Sequence, residues 1–286
     1  MRNALIGVVL LLAGASSGAA APPVFACTDI GPKPVVATIP GTQGNDTITG
    51  TPKRDVIAGL GGDDTIDGGG GDDVICGGDG NDRLSGGAGE DVLSGDAGSN
   101  VLDGGSQPAD GTDFAGYDAS SVSVTASLAK GTATGPGSDQ LRGIEGISGS
   151  PQGDRLAGDG GDNVLLGQRG SDRLNGLGGS DLISGSEGND TMNGGPGADL
   201  AFYENSPHAV RVDLAKRVAA GWGHDRLLSI EDVVGSRRAD RLLGSKGANY
   251  LWGLGGADLI DGRGGRDHAF GGPGGDTCRA EVRSSC

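Results

Sequence analysis

Large aliphatic residues recur at every ninth position between residues 59 and 103. In register, this stretch reads as five units, GLGGDDTID, GGGGDDVIC, GGDGNDRLS, GGAGEDVLS and GDAGSNVLD. The residues around the eighth position alternate as in a short strand, so the aliphatic side chain points to one face and its neighbours to the other. A fixed short period of this kind predicts stacked repeats rather than an ordinary globular domain. The aliphatic residues at the eighth position are Ile66, Ile75, Leu84, Leu93 and Leu102.

The remaining positions of the unit are also restricted. Glycine occupies the first and fourth positions, and Asp or Asn occupies the sixth. Clustered glycines let the chain turn through positive φ without a Cβ clash. Each unit therefore predicts a turn followed by a strand of about three residues. Stacked copies would place one row of aliphatic side chains inside and one row of carboxylates along each turn edge.

On these residues the stretch resembles the RTX, or haemolysin-type calcium-binding, family, whose repeat is G-G-x-G-x-D-x-U-x with U a large aliphatic residue. The resemblance implies an all-β fold, a parallel β-roll. It also implies that Ca²⁺ lies between successive turns of one edge, held by the sixth-position Asp and by main-chain carbonyl groups.

The nine-residue pattern predicts three arrays, at residues 41–115, 149–202 and 235–279. The sixth-position amides Asn100, Asn163 and Asn249 keep an oxygen but lack the charge, so weaker sites are expected there. The metal ligands that the resemblance implies are Asp46, Asp55, Asp64, Asp73, Asp82, Asp91, Asp113, Asp154, Asp172, Asp181, Asp190, Asp199, Asp240, Asp258, Asp267 and Asp276.

Two aperiodic inserts, residues 116–148 and 203–234, separate the arrays. The inserts align with each other when Tyr117 is placed on Tyr203, and Glu145 then matches Glu231. Their apolar residues have period-two spacing with few breakers, which predicts short strands that continue the sheet.

The composition limits both the core and the partners. With 61 glycines and 3% aromatic residues, the chain cannot build a thick hydrophobic core. The net charge of −16 argues against nucleic acid or an anionic membrane surface as partners, and it favours cations. An acidic surface that only maintains solubility is the alternative explanation of the charge.

Among cations, Ca²⁺ suits these residues best. It takes about six to eight oxygen ligands at flexible angles, and glycine-rich turns expose main-chain carbonyl oxygens. Mg²⁺ demands a tight octahedron. Transition metals prefer His or Cys, and His208, His224 and His268 have no ligand spacing. The alternative is a glycine-rich β-solenoid in which Asp side chains only accept hydrogen bonds from turn amides.

Residues 1–26 have the features of a secretory signal peptide. Arg2 provides the positive start, an apolar run follows from Ala4 to Ala13, and small residues continue to Ala21. The apolar run is too short to span a bilayer, and the cleavage site falls between residues 19 and 26. The sequence thus predicts a secreted, extracellular protein without a transmembrane segment, with a lipoprotein anchored through Cys27 as the alternative.

Four cysteines in an exported chain suggest two disulfides, with three possible pairings. Proximity favours Cys278 with Cys286, and elimination leaves Cys27 with Cys76. Each pair would close one end of the repeats, in an N-terminal cap at residues 27–40 and a C-terminal cap at residues 280–286, because solenoid ends need caps.

Together these features favour a secreted calcium-binding structural or interaction protein whose β-roll folds on binding extracellular Ca²⁺. A cell-surface adhesin or matrix component, with a protein or glycan partner, is one alternative. The other is an enzyme with an unrecognised hydrolase site in the inserts, near Glu145 or Glu231. The sequence has no H-E-x-x-H, and outside the predicted signal peptide it has no G-x-S-x-G, so we expect no catalytic domain.

Overall fold

A computed structural model of the chain describes residues 26–27, 35–106 and 111–286. Within these ranges the secondary structure consists of β-strands and turns, without a helix. The chain divides into two compact units, the first ending at Pro151 and the second beginning at Gln152. The predicted all-β fold class, a parallel β-roll with strand-rich inserts, is confirmed in both units.

The first unit is a coil of short strands that alternate between two sheets. One sheet has the strand order β3-β5-β7-β9-β11-β15, and the other contains β4, β6, β8, β10 and β14 side by side. Its strands are β1 (Ala26–Cys27), β2 (Val35–Val36), β3 (Ile39–Pro40), β4 (Thr47–Thr49), β5 (Val56–Gly61), β6 (Thr65–Asp67), β7 (Val74–Asp79), β8 (Arg83–Ala88), β9 (Val92–Ala97), β10 (Val101–Ser106), β11 (Phe114–Gly116), β12 (Thr125–Ser127), β13 (Thr132–Thr134), β14 (Ser138–Arg142) and β15 (Gly146–Ser148).

The second unit repeats this arrangement. Strands β17, β20, β23, β27, β29, β31 and β33 form one sheet, and the alternate strands form another. Its strands are β16 (Arg155–Ala157), β17 (Val164–Leu166), β18 (Arg169–Gly170), β19 (Arg173–Asn175), β20 (Leu182–Ser184), β21 (Glu187–Gly188), β22 (Thr191–Asn193), β23 (Leu200–Phe202), β24 (Arg211–Asp213), β25 (Val218–Ala220), β26 (His224–Leu228), β27 (Asp232–Val234), β28 (Arg241–Leu243), β29 (Tyr250–Trp252), β30 (Leu259–Asp261), β31 (His268–Phe270), β32 (Thr277–Arg279) and β33 (Val282–Ser284).

Strand register follows the nine-residue period. Ile66 pairs with Leu84, and Ile75 pairs with Leu93, in parallel ladders. Two units of nine residues therefore make one coil, and each strand pairs with its equivalent in the next coil. The eighth-position side chains form the predicted inner row and are almost completely buried, with exposures of 1% for Ile66 and 0% for Leu93. This inner row contributes one side chain per strand, and a second buried cluster packs on the other face of one sheet, formed by Val56, Ala58, Val74 and Cys76.

Each insert is an antiparallel hairpin that rejoins the coil. Strands β12, β13 and β14 pair antiparallel in the first insert, and β24, β25 and β26 do so in the second. The last strand of each antiparallel set then pairs parallel with a repeat strand, β14 with β10 and β26 with β22. The prediction that the inserts continue the sheet as short strands is confirmed.

The chain ends bear on the predicted disulfides and on export. Cys278 and Cys286 form the predicted disulfide. Cys76 is disulfide-bonded, but the side chain of its predicted partner Cys27 lies outside the described part of the molecule. The predicted signal peptide, residues 1–26, lies outside it as well except for the backbone of Ala26. No helix in the described ranges is long and apolar enough to cross a membrane.

Candidate metal centre

The sixth-position carboxylates form a hydrogen-bonded ladder along each turn edge. The backbone N–H of Asp46 donates to Oδ1 of Asp64, one coil later, at 2.8 Å, and the N–H of Asp64 donates to Oδ1 of Asp82 at the same distance. In the second unit the N–H of Asp154 donates to Oδ1 of Asp172 at 2.8 Å. One oxygen of each such carboxylate therefore joins neighbouring coils. The carboxylates that accept these bonds are buried.

The second carboxylate oxygen, Oδ2, has no such partner in many of these residues. Burial without a partner penalises the charged form. Desolvation accordingly raises the pKa of Asp73 to about 7 and that of Asp172 to about 8. The fold holds these groups in a state that a cation or a proton would stabilise. Within the described ranges, the buried Oδ2 atoms without a hydrogen-bond partner belong to Asp64, Asp73, Asp82, Asp91, Asp113, Asp172, Asp181, Asp190, Asp199, Asp258 and Asp276.

Main-chain carbonyl oxygens face the same spaces. A Cβ atom added to the first-position residue Gly68 would lie 2.5 Å from Asp73 Oδ2 and 2.5 Å from the carbonyl oxygen of Gly86. Real Cβ atoms do not approach oxygen atoms this closely. The absence of a side chain at Gly68 therefore leaves a small space lined by a carboxylate oxygen and by a carbonyl oxygen of the next coil.

The donor set matches a hard cation. Carboxylate and carbonyl oxygens at flexible angles are the ligands of Ca²⁺. No group of three or more His, Cys, Asp or Glu side chains with metal-binding geometry occurs in the part of the chain that the structure describes. The space beside Gly68 offers a carboxylate oxygen and a carbonyl oxygen, a donor set that suits Ca²⁺ and not Zn²⁺.

The backbone at the second position of the unit separates two kinds of turn. In open turns, as we call them, the second residue has a positive φ, including non-glycine residues such as Leu60 at 79° and Leu177 at 78°. This left-handed conformation costs a non-glycine residue roughly 1–2 kcal/mol. Every unpaired Oδ2 named above belongs to an open turn. The open turns begin at Gly59, Gly68, Gly77, Gly86, Gly95, Gly104, Gly167, Gly176, Gly185, Gly194, Gly253, Gly262 and Gly271.

In closed turns the second residue has an ordinary φ, and the sixth side chain accepts its N–H. The N–H of Thr51 donates to Asp55 Oδ2 at 2.6 Å, and the Thr51 hydroxyl donates to the same oxygen at 2.8 Å. The N–H of Ser245 donates to Asn249 Oδ1 at 2.7 Å. The turn satisfies its own carboxylate or amide, so little is left for a metal. Closed turns begin at Gly41, Gly50, Gly158, Gly235 and Gly244, and the turn beginning at Gly149 shares their backbone conformation.

The sixteen predicted ligands thus fall into two groups. Eleven have the unpaired Oδ2, and Asp267 lies in an open turn as well. Asp46, Asp55 and Asp240 lie in closed turns with Oδ2 hydrogen-bonded, and Asp154 lies in the turn that begins at Gly149. The nine-residue pattern placed all sixteen in one set of candidate ligands. A partial signal was Thr or Ser at the second position, whose hydroxyl can pair with the acid, as at Thr42, Thr51 and Ser236. This signal does not mark the closed turn of Asp159.

The sixth-position amides differ from the carboxylates. Asn163 and Asn249 lie in closed turns and accept the turn N–H through Oδ1. Asn100 lies in an open turn, where Nδ2 rather than an oxygen faces Gly95. That nitrogen donates to Asp139 Oδ1 at 3.0 Å.

The two insert glutamates continue the ladder. Glu145 Oε2 accepts the backbone N–H of Asp113 at 3.1 Å, and Glu231 Oε2 accepts that of Asp199 at 3.0 Å. Each glutamate takes the position that Oδ1 of a sixth-position Asp would take in the next coil. Both glutamates therefore have a structural role, since each accepts a backbone N–H that joins the insert to the repeats.

Comparison with known proteins agrees with this geometry. The family model described as RTX calcium-binding nonapeptide repeat (4 copies) matches residues 40–75, 77–107, 148–183, 166–201, 234–269 and 243–278. The matched ranges together cover more than half of the chain and include open turns in all three arrays. A search of curated proteins found no match. The chain belongs to the RTX calcium-binding nonapeptide repeat family.

Proposed function

We propose that the chain is a secreted structural or interaction protein whose open turns bind extracellular Ca²⁺ and become ordered by it. The observation that carries this proposal is the row of buried Oδ2 atoms without partners, most of them beside a carbonyl oxygen of a neighbouring coil. The signal-peptide features of residues 1–26 and the Cys278–Cys286 disulfide support export, because disulfides persist in oxidising compartments.

The charges along each edge explain why a divalent ion is needed. After desolvation, the neighbouring carboxylates Asp91, Asp55 and Asp72 raise the pKa of Asp73 further. A stack of such turns accumulates like charges that are only one coil apart. Ca²⁺ bound between successive turns would supply opposite charge and use the unpaired oxygens as ligands. Extracellular modules of this kind bind Ca²⁺ with dissociation constants of about 10⁻⁴–10⁻³ M, which keeps such sites empty in the cytosol.

A calcium count tests the proposal and separates the two kinds of turn. We expect Asp73→Asn, in an open turn, to bind about one Ca²⁺ fewer per chain, because it loses the charged ligand. Asp55→Asn is the matched control from the neighbouring coil. It should bind as many ions as the unchanged protein, because Asn163 and Asn249 show that an amide oxygen can accept the turn N–H in a closed turn. Equilibrium dialysis of the mature chain against Ca²⁺ measures both. A mature chain that binds no Ca²⁺ overturns the proposed function.

A second pair of variants tests the glycine-lined space itself. Gly68→Ala places a methyl group on Asp73 Oδ2 and the Gly86 carbonyl oxygen. We therefore expect the loss of about one Ca²⁺ although no ligand is removed. Gly70→Ala is the control, because its Cβ would have no neighbour closer than 3.7 Å and Gly70 has no positive φ. Equal calcium counts for the two alanine variants would show that the space beside Gly68 is not a calcium site.

A further inference from the structure

We propose that residues 203–252, the second insert and the two closed turns after it, form a calcium-independent segment on which the calcium-dependent turns assemble. In this segment the protein's own donors occupy the oxygens that stay unpaired in open turns. The inference rests on the proposed function, since it concerns which parts of the chain require Ca²⁺.

The first element is a buried tyrosine. Asp225 Oδ1 accepts the backbone N–H of Asp190 at 3.1 Å, so Asp225 continues the ladder where the repeats would place a sixth-position Asp. Its Oδ2 accepts the hydroxyl of Tyr203 at 2.9 Å. Tyr203 and Asp225 are 2% and 5% exposed. A phenol hydroxyl thus satisfies the carboxylate oxygen that remains unpaired in eleven of the open turns named above.

The second element is a cation of the protein itself. Arg263 donates to both carboxylate oxygens of Asp213, at 2.7 and 2.8 Å, and a further N–H reaches the carbonyl oxygen of Gly244 at 3.0 Å. A bidentate pair of this geometry is among the stronger charge-assisted contacts. The guanidinium group belongs to the open turn that begins at Gly262, so it neutralises Asp213 and joins the insert to that turn without a metal ion.

The third element is the pair of closed turns. Ser236 donates to Asp240 through its hydroxyl at 2.7 Å and through its N–H, and Asp240 Oδ1 also accepts the N–H of Val210 at 2.8 Å. Asp240 therefore ties the first closed turn to the insert. The next closed turn pairs Ser245 with Asn249, which carries no charge that would need neutralising.

The first unit contains two of these three elements, the Tyr–Asp pair and closed turns. The Tyr117 hydroxyl donates to Asp139 Oδ2 at 2.9 Å, with both residues buried. The closed turns of Asp46 and Asp55 stand at the beginning of the first array. The Tyr–Asp pair therefore occurs in both inserts and is a common structural feature of them.

The order of these elements defines where folding begins. Strand β28 follows the first closed turn and pairs with β30. Strand β29 follows the second closed turn and pairs with β31. A preformed segment offers both sheet edges to the open turns that follow, so each calcium-bound coil adds to an existing edge. In stacked repeats, stability is set mainly by such nearest-neighbour interfaces. Ca²⁺ then extends a structure that already exists.

Hydrogen exchange of the full mature chain, measured with mass spectrometry in Ca²⁺ and in EDTA, tests the inference. In EDTA we expect exchange in residues 167–202 and 253–279 to rise about 100-fold or more, the change that a ligand at 100 times its dissociation constant produces. Residues 203–252 should change less than about 10-fold. Equal loss of protection in all three ranges would overturn the inference while the proposed function stands. Exchange unaffected by Ca²⁺ in the open turns would instead overturn the proposed function.

A tyrosine variant isolates the hydroxyl. Tyr203→Phe leaves Asp225 Oδ2 buried without its donor, so residues 203–234 should lose their protection in EDTA. Tyr117→Phe, which removes the equivalent hydroxyl from the first insert, is the control and should leave the protection of residues 203–234 unchanged. Unchanged protection in Tyr203→Phe would show that the hydroxyl does not replace the ion. Should this variant fail to fold, the comparison on the unchanged chain decides alone.

Discussion

Transfer of the mature chain from millimolar Ca²⁺ into EDTA is expected to remove roughly half of its β-sheet circular dichroism signal and to expand the chain, because the open turns lose the ion that joins neighbouring coils. The inner row of one aliphatic side chain per strand offers too little buried surface to hold glycine-rich turns by itself. Without Ca²⁺, the eleven buried Oδ2 atoms found in the described ranges would also remain without a partner. Circular dichroism and analytical ultracentrifugation measure the two effects.

Reversal with different cations provides the control for this expectation. Re-addition of Ca²⁺ should restore both signals, whereas Mg²⁺ at the same concentration should not, because it demands a tight octahedron and gives up water reluctantly. The signal that remains in EDTA should come from the inserts and closed turns. A chain that stays equally compact and heat-resistant after complete removal of Ca²⁺ would contradict this account of what joins the turns.

The regular part of the fold could be predicted because one period carries several physical requirements at once. Ile66, Ile75 and Leu84 lie in the inner row because strand geometry puts the eighth-position residue of each nine-residue unit on the same face. The same period brings the sixth-position residues to the turn edges. The strands of the inserts could be predicted equally well, since their period-two spacing is a local property of the chain.

The distinction between open and closed turns could not be predicted in the same way. It depends on φ at one residue, and glycine is not required there, since Leu60 and Leu177 adopt the left-handed conformation as well. Serine is ambiguous too. Ser186 is left-handed in an open turn, whereas Ser236 closes its turn onto Asp240. The neighbouring coils decide between the two conformations, so the turn sequence alone is insufficient.

The pairing of Tyr203 with Asp225 was missed for a different reason. The two residues are 22 positions apart and meet only because the hairpin of the insert folds back onto the coil. The sequence aligned Tyr117 with Tyr203 but did not indicate which carboxylate each would contact. The insert carboxylates continue the hydrogen-bonded ladder of the repeats through long-range contacts, which no local sequence pattern specifies.

In the absence of Ca²⁺, the folded chain is expected to be more stable at about pH 5 than at about pH 8. Burial raises the pKa of Asp73, Asp113 and Asp181 to about 7 and that of Asp172 to about 8, compared with about 3.9 in an unfolded chain. Between these values the folded state binds more protons than the unfolded state. The stabilisation is therefore fully present below the unfolded pKa and is lost as pH rises through about 6 to 8.

Calcium should reverse this pH dependence, because protons and Ca²⁺ compete for the same oxygens. With saturating Ca²⁺ the chain should be more stable at pH 8 than at pH 5, and binding near pH 7 should release protons. Urea denaturation midpoints at both pH values, with Ca²⁺ and with EDTA, measure the crossover. Asp172→Asn, which carries no titrating group at that position, should show a smaller dependence in EDTA. A metal-free chain that gains stability from pH 5 to pH 8 would show that its buried carboxylates are already paired.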